Sequence, residues 1–136
     1  MKGSYILLLE LKDDKNIQVG KLGKFTFKMG FYVYVGSALS GLEQRIRRHL
    51  RSNKKIHWHI DYLLNFAQIV DVFYKESKTK EECTIAKILD KQLVTIPCFG
   101  SSDCKCKSHL FFGDVNKIKN ILENLDTLKY NTNAKT

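Results

Sequence analysis

The sequence predicts an α+β fold in which helices flank a small, largely antiparallel sheet. Short apolar runs of strand length dominate the first part of the chain, and amphipathic helical periodicity appears only after residue 41. Strands that come first and then alternate with helices over short connections are typical of helices packed on an antiparallel sheet. A length of 136 residues with 43% hydrophobic residues suits one domain around one core.

Strands are predicted throughout the segment before the first helix. The run GSYILLLEL, residues 3–11, is mostly apolar and ends at the turn signal DDKN, so we expect a central strand. Two short alternating segments, 17–19 and 24–28, are separated by glycines and predict an inserted hairpin. The run FYVYVGSA, residues 31–38, is rich in aromatic and β-branched residues, which predicts another buried strand.

The hydrophobic period changes at Leu42. Apolar residues then recur every four positions at Leu42, Ile46 and Leu50, which predicts an amphipathic helix that ends at Arg51. HWHIDYLLNFA predicts a second, shorter helix, and the apolar run QIVDVFYKE that follows it predicts a strand.

The last part of the chain predicts two more helices and one more strand. TKEECTIAKILDKQL has the capping-box pattern of a helix N-terminus, with Thr79 as N-cap and Glu82 three residues later. HLFFG predicts a strand, and a final helix is expected from Asp114 to Leu125. We therefore expect one domain over residues 1–128 and a disordered tail over residues 129–136.

The chain is strongly basic. It has 23 Lys and Arg against 14 Asp and Glu, a net charge of +9, which favours a polyanionic partner such as nucleic acid or anionic lipid. No apolar run approaches the roughly 20 residues of a membrane-spanning helix, and YILLLEL lacks a signal-peptide cleavage pattern. We expect a soluble, cytoplasmic protein without a membrane partner, whose cysteines are thiols or metal ligands rather than disulfides.

Basic side chains are concentrated on and after the first helix. Arg45 and His49 lie one turn apart at the edge of the apolar stripe, where they can face the sheet. The density of positive groups around them suits phosphate contacts. We expect nucleic-acid contacts from Arg47, Arg48, Arg51, Lys54, Lys55 and His57. The alternative is a solvated basic face.

Two tyrosines of the predicted strand 31–38 permit two interpretations. Tyr32 and Tyr34 point to the same face because they are two residues apart. A tyrosine in a central strand is most often a packed core side chain. The functional interpretation depends on the residues that surround Tyr34, because YVG closes this strand as GSY opens the first one.

This order of motifs resembles the GIY-YIG nuclease superfamily. GSY at 3–5 stands for the first tripeptide and YVG at 34–36 for the second, followed by an arginine, Arg45, and a histidine, His49. The superfamily carries a metal-binding glutamate on a later helix, and Glu82 in EECTIAKIL occupies that place. More narrowly, GFYVYVGSA, HWHIDYLL and GSSDCKCKSHLFF resemble the domain-of-unknown-function family 123 within that superfamily. The resemblance covers nearly the whole chain.

Two features depart from the superfamily pattern. The spacer between Tyr5 and Tyr34 is longer than usual, which fits the inserted hairpin. The polar residue, commonly asparagine, that follows the glutamate helix has no counterpart near Val94. Either another loop residue replaces it, with Ser101 and Asp103 as candidates, or the activity is reduced or lost.

The resemblance implies a divalent-metal-dependent DNA endonuclease, structure-selective in DNA repair or processing. Its catalytic residues would be Tyr5, Tyr34, Arg45, His49 and Glu82. Glu82 would hold Mg²⁺ or Mn²⁺, and Arg45 would neutralise charge on the phosphate. Tyr5 or Tyr34 would activate water, with a pKa lowered from roughly 10 by the nearby cations. His49 is the rival base, since its ordinary pKa near 6.5 suits neutral pH. RNA is an alternative substrate, because its phosphates would make the same contacts with the basic side chains as those of DNA.

The cysteine-rich loop CFGSSDCKCKSH supports another interpretation. Cys98, Cys104, Cys106 and His109 form a possible zinc set, although their spacing is not a common one. Otherwise the loop is a tight turn that contributes Asp103 and His109 to the catalytic face.

Other motifs leave further alternatives open. His57 and His59 are two residues apart and do not share a helix face, so phosphate contact or backbone capping is favoured over metal binding. Glu82 is a capping side chain in the structural alternative. Two other functions follow from these alternatives: a nucleic-acid-binding module without activity, and a zinc-stabilised adaptor or interaction domain.

Overall fold

The computed structural model describes residues 2–38, 40–52, 54–101 and 106–131. Within them the elements are, in chain order, β1 (Gly3–Leu11), β2 (Lys15–Gln18), a short 3-10 helix (Gly20–Leu22), β3 (Lys24–Phe27), β4 (Gly30–Ala38), α1 (Leu42–Leu50), α2 (His59–Leu64), β5 (Gln68–Glu76), α3 (Glu82–Gln92), β6 (Val94–Thr95), β7 (Leu110–Gly113), α4 (Val115–Asn124) and β8 (Leu128–Lys129). The predicted α+β class is confirmed. The two-residue strands β6 and β8 were not predicted, because a segment of that length shows no periodicity.

The main sheet has six strands in the order β6-β7-β4-β1-β5-β8, and every neighbouring pair is antiparallel. The apolar strand β1 is central, as predicted, and it pairs with β4 so that Tyr5 lies opposite Gly36. Since side chains alternate across a strand, Leu7 joins Tyr5 on one face while Ile6 and Leu8 lie on the other. Strands β2 and β3 form the separate inserted hairpin.

Each face of the sheet is covered by its own layer. The face with Tyr5 packs against the hairpin and against α1 and α2, through apolar residues that include Ile46 and Ile60. The opposite face packs against α3 and α4, through residues that include Leu89 and Ile118. In the described part of the chain, no helix combines the length and apolar character that crossing a membrane requires.

The start of α3 differs from the prediction. The helix begins at Glu82 with Glu81 as its N-cap residue, and Thr79 lies in the preceding turn, where its amide donates to the Ser77 hydroxyl. Ser77 also donates to the Glu81 carboxylate at 2.6 Å. The capping-box prediction is therefore wrong, because the Glu82 side chain turns toward β4 and accepts a hydrogen bond from Ser37 instead.

The C-terminal boundary also differs. Lys129 belongs to β8, which pairs with β5, and the amide of Tyr130 donates to the carbonyl of Val72 at 2.8 Å. Residues 129 and 130 therefore extend the sheet rather than begin the predicted tail, since β5 offers backbone groups that need partners. Residues 132–136 of that tail lie outside the described residues.

Candidate active site

Most of the predicted catalytic side chains line one open pocket of about 500 Å³. It lies at the end of the sheet where β1 begins and β4 ends. The residues in its wall that the sequence singled out are Tyr5, Tyr34, Arg45 and Glu82. The fifth, His49, lies behind Tyr5 and is 2% exposed. The topology thus brings both layers of the fold to a common site, since Arg45 comes from α1 and Glu82 from α3.

Close approach explains both glycines of the two tripeptides. A Cβ at Gly36 would clash with Cζ and the hydroxyl of Tyr5, the residue opposite it on β1. A Cβ at Gly3 would clash with the backbone carbonyl of Lys75 on β5. Any side chain at Gly36 would therefore displace the Tyr5 ring from the pocket wall.

Tyr5 is hydrogen-bonded to His49 on the side away from the pocket. The Tyr5 hydroxyl lies 2.7 Å from Nε2 of His49, and the two rings are 5.1 Å apart between centroids. Burial lowers the pKa of His49 to about 3, so its ring is neutral at pH 7 and can accept the Tyr5 proton in a hydrogen bond. The expectation that His49 keeps an ordinary pKa is wrong, because burial disfavours its charged form. The role of His49 as the base stays a prediction.

The predicted lowering of the tyrosine pKa is also wrong. Burial raises the pKa of Tyr5 and of Tyr34 above the usual value near 10, and the Arg45 guanidinium offsets only part of this effect. Both phenols therefore keep their protons at neutral pH. In this state they can orient water or a phosphate oxygen through hydrogen bonds.

Arg45 is fixed by β4 and by Trp58. Its Nη1 donates to the carbonyl of Ser37 at 3.0 Å, and its guanidinium lies 4.8 Å from the centre of the Trp58 ring. A cation–π contact orients a guanidinium without neutralising its charge. Arg45 therefore presents a positive charge that is already positioned for an anionic group in the pocket.

Glu82 is oriented through one of its carboxylate oxygens. Its Oε1 accepts a 2.8 Å hydrogen bond from Ser37 Oγ and lies 3.6 Å from Nζ of Lys80. Its Oε2 is 3.8 Å from Nδ1 of His109, beyond hydrogen-bond distance. Mg²⁺ binds through one or two carboxylates and keeps several waters, so a single carboxylate on the wall of an open pocket fits this ion or Mn²⁺.

The pocket also contains side chains that the sequence reasoning missed. These are Ser37, Ser40, Lys80 and Cys83. A signal for three of them was present, because Ser37 directly follows the YVG motif and Lys80 and Cys83 lie close to Glu82 in the chain. What could not be seen was the contact between Ser37 and Glu82, which joins distant segments.

His109 lines the pocket, as expected for the catalytic face. Burial lowers the pKa of His109, and the charge of Glu82 opposes this effect. Of the two candidates for the missing polar residue, Ser101 is not among the pocket-lining side chains, and Asp103 lies outside the described residues. Within the described chain, the polar side chains next to Glu82 include Ser37, Lys80 and His109.

Comparison with known proteins assigns the chain to a family. The sequence model for a domain of unknown function, DUF123, matches residues 4–130, which include every pocket residue named above. The chain belongs to the DUF123 family. Searches of curated proteins and of solved structures give no match.

Two of the predicted nucleic-acid contacts have structural partners in this DUF123 domain. Arg48 donates to both carboxylate oxygens of buried Asp61, at 3.1 and 3.0 Å. Nζ of Lys54 donates to the carbonyls of His49 and Arg51 at the end of α1. Arg48 and Lys54 therefore stabilise the connection from α1 to α2. A buried carboxylate such as that of Asp61 needs hydrogen-bond donors, and so do the unpaired carbonyls at the end of a helix.

The remaining basic residues lie at the surface of the DUF123 domain. Arg51, Lys55 and His57 are exposed, and Arg47 forms a surface ion pair with Glu43 at 3.1 Å. Phosphate contacts by these side chains stay predictions. His59 has a different place, since its Nδ1 accepts a hydrogen bond from the amide of Gly100 at 2.9 Å. This contact is the backbone capping that the sequence favoured over a metal site.

The predicted zinc set is not assembled as expected. Cys98 is exposed, and Cys104 lies outside the described residues. Cys106 and His109 do come together, and the third side chain of their cluster is Cys83 from α3. The sequence could not indicate Cys83, because only the packing of α3 against the loop brings these segments together.

Proposed function

We propose that this DUF123 protein is a divalent-metal-dependent DNA endonuclease that hydrolyses phosphodiester bonds. The observation that carries the proposal is the presence of Tyr5, Tyr34, Arg45 and Glu82 in the wall of one pocket. Phosphodiester hydrolysis requires neutralisation of charge on the phosphoryl oxygens, a positioned water and help for the leaving oxygen. The resemblance of the motifs to the GIY-YIG superfamily supports the same reaction.

Arg45 would bind the scissile phosphate. Its guanidinium is oriented by Ser37 and Trp58 before substrate arrives, so little ordering is needed when the phosphate binds. Tyr5 would orient the attacking water through the lone pairs of its hydroxyl oxygen while His49 accepts the hydroxyl proton in a hydrogen bond. The neutral Tyr34 hydroxyl would donate to a phosphate oxygen.

Glu82 would hold the Mg²⁺ or Mn²⁺ ion, with its carboxylate orientation set by Ser37. When bound, the ion would polarise a phosphoryl oxygen and neutralise the negative charge that develops on the leaving oxygen as its bond to phosphorus breaks. Lys80, 3.6 Å from the Glu82 carboxylate, would add a second positive charge beside the phosphate.

The basic surface would supply affinity without reading sequence. Lysine and arginine contacts to phosphates position a protein on nucleic acid, whereas specificity for sequence requires contacts to bases. A small domain of this kind would select the structure of its substrate, as in DNA repair or processing in the cytoplasm. DNA is the proposed substrate, and RNA is tested as the alternative substrate.

The test is cleavage of labelled duplex, single-stranded and branched DNA, and of RNA, in the presence of Mg²⁺ or Mn²⁺. We expect Glu82→Gln and Arg45→Ala each to lower the cleavage rate by about 10²–10³-fold, the effect of removing one group that stabilises transition-state charge. The matched control is Glu81→Gln, because Glu81 precedes Glu82 in the chain and its carboxylate bonds to Ser77 and Lys75 instead. Equal rates for the Glu81 and Glu82 variants would contradict the proposal.

A nucleic-acid-binding module without activity is the second candidate. The observation that favours it is the ammonium group of Lys80, which lies 3.6 Å from the Glu82 carboxylate and would compete with a metal ion for it. A protein of this kind would bind the same DNAs with an affinity that does not depend on Mg²⁺, and it would cut none of them.

A further inference from the structure

Two cysteines and a histidine meet beside the pocket. The ligand atoms of Cys83, Cys106 and His109 all lie within 4.8 Å of one another. Cys83 and His109 also line the pocket, whereas Cys106 faces a separate shallow cavity next to Ala86 and Asp90. The cluster therefore lies in the wall between the pocket and the outer surface of α3.

We propose that Cys83, Cys106 and His109 form a zinc site, distinct from the Mg²⁺ or Mn²⁺ position on Glu82. Zinc is commonly bound by thiolate and imidazole in proteins, whereas Mg²⁺ prefers oxygen ligands. With Zn–S near 2.3 Å and Zn–N near 2.0 Å, the ligand atoms of a tetrahedral site are roughly 3.4–3.8 Å apart. The ligand atoms of the observed cluster, which lie within 4.8 Å of one another, would have to move closer together to reach that spacing.

The backbone already holds the histidine in place. The amide of His109 donates to Phe99 at 2.8 Å, and its carbonyl accepts from Val35 at 3.0 Å. Its side chain is 4% exposed. Cys83 is the second residue of α3, so its position is set by the start of that helix. A zinc site assembled from such fixed positions requires little reorganisation of the chain.

The site would connect two parts of the fold. Cys83 belongs to the first turn of α3, and the other two ligands come from the segment that leads into β7. A bound zinc would join these segments next to Glu82, the residue that precedes Cys83 in the chain. Three of the four tetrahedral positions would be filled from the described residues. The zinc would be a cross-link between α3 and the segment before β7, next to Glu82.

Metal content of the full chain, purified under reducing conditions, tests the site. After equilibration with zinc and removal of excess ion, we expect one zinc per chain in the wild type and its loss in Cys83→Ser and Cys106→Ser. Cys98→Ser is the matched control, since Cys98 is an exposed cysteine of the same loop outside the cluster. Zinc should raise the melting temperature of the wild type and of the Cys98 variant, and leave the Cys83 variant unchanged.

Two results would overturn the site. One is a wild type that retains no zinc, and the other is a Cys98 variant that loses zinc as completely as the Cys83 variant. A cobalt titration of the wild type keeps the test decisive if a serine variant fails to fold. Tetrahedral cobalt with thiolate charge-transfer absorption supports the site, and an octahedral spectrum without it overturns the site. None of these readouts depends on cleavage, so they stand apart from the test of the endonuclease.

Discussion

The hydroxyl of Tyr5 would serve both the packing of the domain and the proposed chemistry. It is bonded to His49 behind the pocket and lies in the pocket wall. We expect Tyr5→Phe to lower the cleavage rate by about 10²-fold or more, because the water loses the group that orients it. The substitution should also lower the free energy of unfolding by about 1–3 kcal/mol, since His49 Nε2 loses a buried partner.

Tyr32→Phe is the matched control for this prediction. The Tyr32 hydroxyl donates to the carbonyl of Lys28 at 2.6 Å, and Tyr32 is not among the residues of the pocket. Its removal should affect stability and leave the cleavage rate unchanged. Cleavage rates and urea unfolding of both variants check the prediction, and equal cleavage by Tyr5→Phe and wild type would refute the role of Tyr5.

Burial of His49 predicts a stability that depends on pH. The folded-state pKa, about 3, lies below the unfolded value near 6.5. As pH falls below 6.5, the unfolded chain binds a proton that the folded chain excludes, so stability is lost from the unfolded pKa down toward the folded one. This group should remove about 2 kcal/mol of unfolding free energy between pH 7 and pH 5.

Urea unfolding of His49→Gln at both pH values checks this. The variant should lose less stability than the wild type as the pH falls. Burial also lowers the pKa of His59 and His109, so some pH dependence should remain in the variant. His57→Gln is the control, because His57 is exposed. If His49→Gln and His57→Gln show the same pH dependence, His49 is not the source.

At the scale of elements, the connection between α1 and α2 depends on Asp61. Its carboxylate is bonded to Arg48 of α1 and to the amides of His57 and Trp58 at the start of α2. Burial raises the pKa of Asp61, but these hydrogen bonds together outweigh burial and lower it overall. The charged form is therefore the one that joins the two helices.

We expect Asp61→Ala to lower the free energy of unfolding by about 3–5 kcal/mol, because it leaves the Arg48 charge without its buried partner. Glu43→Ala is the comparison, since it breaks a surface pair with Arg47 that solvent screens. Urea unfolding at neutral pH measures both. A loss for Asp61→Ala no larger than that for Glu43→Ala would show that the α1–α2 connection does not depend on this pair.

At the scale of the whole molecule, the basic side chains on and after α1 belong to the same layer as Arg45 of the pocket. Arg51 and Lys55 are exposed at the end of α1 and after it, while α4 packs on the opposite face. We expect Arg51→Ala and Lys55→Ala each to weaken duplex binding and to reduce the slope of log K against log salt by about 1 for each phosphate contact removed.

Lys119→Ala is the control for this surface, because Lys119 is exposed on α4. Fluorescence anisotropy over a range of salt concentrations measures the slopes. The same decrease for Lys119→Ala would mean that DNA binds without preference for the α1 face, and unchanged slopes for all three variants would place the contacts elsewhere.

The local pattern of apolar residues was enough to predict the long strands and helices that have a clear hydrophobic period. The apolar run of β1 and the four-residue repeat of α1 each specify an element type, because the period of side-chain burial differs between strands and helices. The motif order also predicted that Tyr5, Tyr34, Arg45 and Glu82 would meet, an expectation from family resemblance rather than from periodicity. Pairing of Tyr5 with Gly36 then shows why glycine is needed there.

Tertiary packing decided the properties that depend on distance through space. Burial raises the pKa of Tyr5 and lowers the pKa of His49, and it outweighs the nearby charges in both cases. Each shift makes that side chain less suited to act as a base at neutral pH. Arg48 forms an ion pair with Asp61. The cysteine of α3, Cys83, lies next to His109, in place of the predicted Cys98. Desolvation and contacts between distant segments have no signature in local sequence, since they are set only when the layers pack.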